Sequence, residues 1–392
     1  MNRQLLLLTI CQGLFFTNNV TFVAVNGLVG LAIAPYGWMA TLPLTAYVGG
    51  AALASQLVAR HQRAYGRQRC FRNGLLVAIG SAGICALAAM TRNFWLLLAG
   101  TLVAGYYSAN ASLYRFAAIE LVDGKHKEQA ISWVLAGGIM GGVIGPNLAS
   151  VTRDALPVAF AGAYVALMGV ALVSLWVMSR IHFPPLPGGI GAARAGRSVR
   201  ELARQPTFVV AIVGAALGYG VMNLLMAATP IAMQQCTHPF SAVALVLETH
   251  VLAMFVPSFF TGHLIRRFGV LRVMSAGVVL NLACVLFALS GQEVMHFVGA
   301  LMVLGVGWNF LYIGGTTLFT QSYRAEEKTQ AQAAMDTTVA ATMALTSFSS
   351  GALVTTGGWQ WMNLASMVPM AIAAGAIVWL ARERSRAENA PA

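Results

Sequence analysis

The stretch GVGWNFLYIGGTTLFTQSYRAEEKTQAQAAMD, residues 305–336, decides the fold. An apolar run that carries Trp308, Asn309 and Tyr312 ends in a charged turn, and a second apolar run then holds Asp336 about two helical turns inside it. The chain is 58% hydrophobic and only 9% charged, whereas about a quarter of the residues of a soluble domain carry charge. Both runs are therefore predicted to be membrane-spanning helices.

Segments of this kind recur along all 392 residues. A hydrocarbon core of about 30 Å requires about 20 apolar residues per helix, and lipid offers no partners for the backbone, which favours helices. We therefore predict an all-α integral membrane protein with twelve transmembrane helices. The segments cover approximately 5–33, 37–59, 71–91, 94–119, 129–151, 157–180, 207–235, 241–265, 271–291, 294–321, 329–354 and 359–381.

The chain has a net charge of +12, and its positively charged residues are distributed unequally between the two predicted sides of the membrane. With the N-terminus inside, all of the 24 Lys and Arg residues except Arg92 and Arg153 fall on the inner side. This asymmetry follows the positive-inside rule and disfavours nucleic-acid binding as its cause. It predicts a multi-pass protein of a bacterial inner membrane, with both termini cytoplasmic and anionic membrane lipid as a partner.

Motifs of enzymes and metal sites are not found in the sequence. The five cysteines are scattered without a C-x-x-C spacing, which predicts neither a metal site nor a disulfide framework. There is no P-loop, no H-E-x-x-H and no G-x-S-x-G. We therefore expect a protein that is not an enzyme, needs no cofactor or metal and does not use ATP directly.

A proline- and glycine-rich stretch divides the chain into two similar halves. Residues 182–206 break the helical pattern and predict a cytoplasmic linker between bundles of six helices at 1–181 and 207–392. At an offset of about 203 residues, Tyr65 and Gly66 correspond to Phe268 and Gly269. A parallel repeat of this kind is typical of transporters that alternate access to a site at the membrane midplane.

The loops after the second and eighth segments resemble those of the major facilitator superfamily, whose hallmark is G-x-x-x-D-R-x-G-x-R-R. The resemblance covers nearly the whole chain and implies two pseudo-symmetric six-helix bundles. It also implies that these loops act as conformational switches, through Gly66, Arg69, Gly262, Arg267, Gly269 and Arg272. Arg63 and Arg266 occupy the acidic position, so any charge relay must use another carboxylate, with Glu120, Asp123 and Glu128 as candidates.

Two narrower resemblances point to different directions of transport. The motifs G-W-N-F-x-x-x-G-G-T-T-L, S-Y-R-x-E-E-K and Q-A-x-x-D resemble a bacterial subgroup whose relatives are associated with riboflavin transport. Gly141, Gly145 and Pro146 resemble part of an antiporter motif, although small residues also allow close helix packing. Thr101 stands where many drug antiporters have an arginine. A proton-antiport multidrug or metabolite efflux pump is therefore the alternative.

The resemblance implies that the first, fourth, seventh and tenth segments line the transport path. Their amide and aromatic side chains would suit a neutral heterocyclic solute such as riboflavin or a nucleoside, and the lack of an interior arginine or lysine disfavours strongly anionic substrates. The same side chains could instead join helices to each other. The substrate-binding candidates are Asn18, Asn19, Tyr106, Tyr107, Asn110, Asn223, Trp308, Asn309 and Tyr312.

Two carboxylates lie well within predicted helices, Glu248 and Asp336. A carboxyl group in a low-dielectric environment holds its proton more readily than one in water, so both are candidates for proton coupling. In the alternative interpretation, Glu248 pairs with His250 or a neighbouring helix, and Asp336 caps a helix or pairs with a loop arginine. We expect a secondary transporter, functional as a monomer, that couples proton symport to uptake.

Overall fold

The computed structural model describes residues 2–122, 127–184 and 197–388, which form helices and connecting loops without any strand. The α-helices are α1 Arg3–Ile33, α2 Leu42–Tyr65, α3 Arg67–Met90, α4 Phe94–Ala111, α5 Tyr114–Ala117, α6 Lys127–Thr152, α7 Ala161–Ser179, α8 Val199–Leu202, α9 Pro206–Gln235, α10 Phe240–Phe255, α11 Ser258–Phe268, α12 Val270–Ser290, α13 Val294–Phe319, α14 Lys328–Thr356 and α15 Gly358–Glu388. The predicted all-α class is confirmed.

The lengths and composition of these helices suit a bilayer. Within the described ranges, ten helices are long and apolar enough to cross a membrane, and α10 with α11 makes an eleventh span if the bent pair crosses as one. The remaining predicted segment corresponds to α4, which has 18 residues and ends in the polar sequence YYSANA. The structure is thus consistent with twelve predicted segments.

The eighth predicted segment is bent. We predicted one membrane-spanning segment over 241–265, and in the structure it consists of α10 and α11, which meet at 43° around Pro257. Proline has no N–H to donate and clashes with the carbonyl four residues earlier, so it breaks the ladder of hydrogen bonds. The freed backbone groups then need other partners.

The chain divides into two compact units. One consists of Met1–Gly188 and Pro230–Val251, and the other of Gly189–Thr229 and Leu252–Ala392. The division therefore falls inside α9 and inside α10, and Glu248 belongs to the first unit. Each unit is described by itself below.

In the first unit, small residues let α1 and α6 pack closely. A Cβ atom on Gly141 would collide with Phe16 and lie 2.5 Å from the Gly13 carbonyl oxygen, and one on Gly145 would lie 3.0 Å from the Thr17 carbonyl oxygen. The glycines of the antiporter-like motif are accounted for by this packing. The buried core beside them includes Leu8, Phe71, Tyr107, Tyr114 and Met178.

The turns after α2 and α11 have the same backbone geometry. Gly66 has φ +78° and ψ 165°, and Gly269 has φ +89° and ψ 150°. Each glycine ends one helix, and the next helix begins at the residue after it. Only glycine adopts this region readily. The two positions that the sequence repeat aligns are therefore equivalent in structure.

Candidate functional site

An aromatic cluster joins α9, α10 and α13 in the second unit. Trp308 and Tyr312 lie one turn apart on α13, so their rings share a face; the rings stack with centroids 5.2 Å apart and an interplanar angle of 10°. Tyr219 of α9 meets them edge-on at 5.5 and 5.3 Å, and Phe255 of α10 lies 6.3 Å from Trp308. Four rings from three helices thus form one apolar, partly exposed group.

Trp308 also carries an unused donor. Its side chain is 6% exposed, and its indole Nε1 has no hydrogen-bond partner within the described part of the chain. Buried Trp N–H groups usually find a partner, and leaving one unpaired costs about 1–3 kcal/mol. The cluster therefore combines ring faces with a donor that an incoming acceptor could satisfy.

Asn309, the next residue, has a different environment. Its Oδ1 accepts a hydrogen bond from Thr261 at 2.6 Å, and its Nδ2 donates to the Met254 carbonyl and to the Ser258 hydroxyl, both at 2.7 Å. These partners flank the break at Pro257. Asn309 supplies the polar partner that the broken helix requires, and its amide is fully occupied.

Asn223 joins α9 to α14. Its Nδ2 lies 2.8 Å from the Ser347 hydroxyl, 3.0 Å from the Thr346 hydroxyl and 3.1 Å from the Met343 carbonyl. Gly220, one turn earlier, lies against the same helix, since a Cβ there would come within 2.6 Å of Thr342. The side-chain amide nitrogen of Asn223 therefore fixes the spacing of α9 and α14.

The first unit places two candidates on α1 beside α2. Asn19 donates from Nδ2 to the Tyr47 hydroxyl at 3.3 Å, and Tyr47 stacks on Phe22 with centroids 5.2 Å apart. Asn18 is 3% exposed, and its Oδ1 has no partner among the residues that the structure describes. These two neighbouring amides thus differ, because one is engaged and the other has a free acceptor.

The α4 candidates form a second polar group in this unit. The Tyr106 hydroxyl lies 2.8 Å from Nδ1 of His61 on α2, and the Cys70 thiol donates to Oδ1 of Asn110 at 3.2 Å. Tyr107, by contrast, is buried in the core. Sequence reasoning missed His61, because only the packing of α2 against α4 shows that it faces a candidate site.

The two coupling candidates lie in different surroundings. Glu248 is half-buried, and its Oε2 accepts a hydrogen bond of 2.8 Å from Nδ2 of Asn147 on α6. The neighbouring-helix alternative thus describes its contact in the structure. Asp336 is exposed on α14. Nothing in their sequence spacing indicated that the two would belong to different units.

One predicted switch loop contains an ion pair. Arg67 donates from Nε and Nη2 to both carboxylate oxygens of Glu120, at 2.7 and 2.6 Å, and from Nη1 to Gln62 at 2.8 Å. Glu120 was one of three relay candidates; Asp123 and the side chain of Glu128 lie outside the described residues. Of the other switch-loop residues, the exposed ones are Arg69, Gly262, Arg267, Gly269 and Arg272.

The loop before α14 is pinned by a second carboxylate. Glu327 is 2% exposed and accepts hydrogen bonds from Nε and Nη2 of Arg197 at 2.7 and 2.8 Å, and from the backbone N–H groups of Arg197 and Arg324. The bonds from Arg197 and the backbone lower the pKa of Glu327 to about 2. The described end of the linker is therefore attached to this loop.

Known proteins resemble this chain along most of its length. It is 36% identical over 363 residues to the riboflavin transporter RfnT of Brucella anthropi, which covers 92% of this chain and 91% of that protein. It is 29% identical over 380 residues to the MFS-type transporter YdeG of Bacillus subtilis, with 91% and 87% covered.

Solved structures share the fold at low identity. The POT family transporter PepTSo superposes with a TM-score of 0.74 at 11% identity, over 100% of this chain and 99% of that one. The nucleoside transporter NupG gives 0.72 at 13% identity, over 96% and 98%. The family model of the Major Facilitator Superfamily matches residues 210–392. The chain belongs to the major facilitator superfamily and is a multi-pass membrane transporter.

Proposed function

We propose that this transporter takes up riboflavin, or a neutral heterocycle of similar shape, together with protons. The observation that carries the proposal is the aromatic cluster around Trp308. A planar heterocycle can stack on such rings, which contributes about 1 kcal/mol beyond its burial, and a ring carbonyl could accept from the free Nε1. The 36% identical relative named a riboflavin transporter supports the same solute class.

Other features of the chain fit this solute. The helix interiors carry amides and phenols, such as Asn18 and Tyr106, which suit hydroxyl and imide groups. Asn309 and Asn223 have their amide donors occupied by protein partners, so we assign them to helix packing. In the second unit the binding role then falls on Trp308 and Tyr312, and in the first unit Asn18, Asn19 and Tyr106 remain the polar candidates.

For the energy source we propose proton symport in a bacterial inner membrane, by a monomer with both termini cytoplasmic. Asp336 and Glu248 are the proposed coupling residues. Because Glu248 holds Asn147 at 2.8 Å, Glu248→Gln would keep a hydrogen-bond acceptor while removing the proton site. Asp336→Asn should abolish proton-driven accumulation but leave exchange of solute; accumulation that survives would contradict the coupling role.

The test is rescue of a riboflavin-requiring bacterium that lacks its own importer, on trace riboflavin. We expect the wild-type chain to restore growth and radiolabelled riboflavin uptake. Trp308→Ala should raise KM about tenfold or more, because it removes the stacking face and the donor together. Trp308→Phe keeps the stacking face and should have the smaller effect.

The matched control is Trp361→Ala, because Trp361 is also in the second unit but is 67% exposed. It should transport normally at the same membrane level. If the wild-type chain is in the membrane and gives no rescue, the riboflavin proposal is wrong. Flux of toxic compounds in oriented vesicles would then test the efflux alternative.

A further inference from the structure

A cavity on the surface of the first unit has no lining residue in common with the substrate-binding candidates. It has a volume of about 340 Å³ and lies where α3 begins beside the end of α7. The α3 and α7 helices pack side by side, and Gln68 donates to the Ser179 carbonyl at 3.5 Å where they meet. The cavity is lined by Tyr65, Arg69, Arg72, Asn73, Leu76 and Leu175.

The polar wall of the cavity carries two uncompensated positive charges. Arg69 and Arg72 are one turn apart on α3, both are exposed, and neither forms an ion pair in the described chain. Their neighbour Arg67 differs, because Glu120 neutralises it at 2.6 Å. Both free arginines lie in the first two turns of α3, where the helix dipole is also positive. Together with the Asn73 amide they favour an anion with several oxygen acceptors, such as a phosphate group.

The opposite wall is apolar and faces outward. Leu76 is 55% exposed and lies one turn beyond Arg72 on α3, and Leu175 comes from α7. Leu172 and Val173 continue this surface along α7 and are 54% and 53% exposed. Since α3 and α7 are both long and apolar enough to span a bilayer, these exposed side chains are available to lipid tails. The cavity thus joins a cationic pocket to a lipid-facing surface.

We propose that this cavity binds an anionic phospholipid, with its phosphate between Arg69 and Arg72 and its acyl chains along Leu76 and Leu175. Tyr65 is 56% exposed and is the last residue of α2, and aromatic residues at the ends of membrane helices favour the headgroup region. The apolar wall favours a membrane lipid over a soluble phosphate, because a free anion has no apolar part to pack against it. The proposal depends on membrane insertion alone and not on which solute is transported.

The test is retention of lipid by the purified full-length protein. The protein would be placed in nanodiscs containing phosphatidylglycerol and phosphatidylcholine. Native mass spectrometry would then measure which lipid stays bound to the protein when it is released from the nanodisc. Wild-type protein should retain phosphatidylglycerol preferentially. In the cavity each arginine would form charge-assisted hydrogen bonds to the phosphate, so Arg69→Gln with Arg72→Gln should reduce this preference about tenfold or more.

The control is a double variant with the same loss of charge outside the cavity. Arg60→Gln with Arg63→Gln removes two exposed arginines from the end of α2 and should leave the preference unchanged. An equal loss in both double variants would show only a diffuse surface charge and would overturn the site. A melting temperature in neutral detergent within a few degrees of wild type is required of every variant compared.

A second arm separates lipid from soluble anion. Leu175→Ser should weaken retention of phosphatidylglycerol, because it places a polar group on the acyl-chain wall. Inorganic phosphate at millimolar concentration should not displace the lipid from wild-type protein. Displacement by phosphate, together with unchanged retention in Leu175→Ser, would overturn the proposed lipid. Lost retention with normal riboflavin uptake would leave the proposed function intact.

Discussion

The turns after α2 and α11 share a backbone but differ in their charges. In both, a glycine with positive φ connects two helices, and its N–H bonds the carbonyl four residues earlier at 2.9 Å, Gln62 in one turn and Ile265 in the other. The residue after the glycine is Arg67 in the first turn and Val270 in the second. Arg67 binds Glu120, whereas Val270 packs in the interior. The residue that follows the shared glycine therefore decides whether an ion pair connects the turn to another loop.

Each unit nevertheless uses one loop carboxylate to bind an arginine through two nitrogens. In the first unit Glu120 binds Arg67 of the α2–α3 turn, and in the second Glu327 binds Arg197 of the linker. The repeat thus preserves the backbone turn through glycine but not the charge pair. The backbone turn is retained because only glycine readily adopts its backbone angles, whereas an arginine and a carboxylate at other positions can form a charge pair.

The largest effect should come from breaking the first pair. Glu120→Gln leaves the Arg67 guanidinium, 12% exposed, without its counter-charge. Breaking a fully buried pair costs about 3–5 kcal/mol, and the partial exposure of this pair reduces our expectation to about 2 kcal/mol. Thermal or denaturant unfolding in detergent would measure it. Replacing both partners, Arg67→Met with Glu120→Leu, should recover part of the loss; no recovery would contradict a pairwise origin.

The shared glycines should give the next largest effect, and an equal one. Gly66→Ala and Gly269→Ala place a Cβ in open space, so the cost is backbone strain alone, about 1–2 kcal/mol for a non-glycine residue at such φ and ψ. Unfolding of both variants would check it. Gly262→Ala is the control, because it is helical and also open, and it should be neutral or stabilising. Unequal losses in the two turns would argue against their equivalence.

The glycines also show which features of this molecule sequence could predict. The turns at Gly66 and Gly269 could be predicted from the sequence because only glycine readily adopts the backbone angles that they require. The bend at Pro257 was not predicted, because prolines are tolerated in membrane helices when other groups satisfy the freed backbone. Asn309, a predicted substrate-binding candidate, supplies those groups through its side-chain amide. The pairing of Arg67 with Glu120, 53 positions apart, depends on packing that spacing does not encode.

The second carboxylate pair should matter less for global stability and more for the linker. Glu327→Gln should release the Arg197 end of the linker and speed its cleavage by trypsin. The lowered pKa of Glu327, about 2 against an ordinary 4.5, means that its carboxylate stabilises the fold fully above pH 4.5 and loses this effect as pH falls towards 2. Hydrogen exchange of 197–202 at pH 7 and pH 3 would show the change. Protection independent of both pH and Glu327 would contradict the attachment.

The smallest effect should come from Arg267, the motif arginine of the second turn. It is exposed, and its guanidinium lies 5.3 Å from the Phe268 ring centroid; a cation–π contact at an exposed site contributes about 0.5 kcal/mol. Arg267→Gln should therefore lower the free energy of unfolding by about 0.5 kcal/mol or less, against about 2 kcal/mol for Arg67→Gln, measured side by side. Equal losses would mean that Arg267 has a carboxylate partner in another conformation. The asymmetry of the two turns would then belong to one state of the transporter, and only the glycine geometry would be common to both.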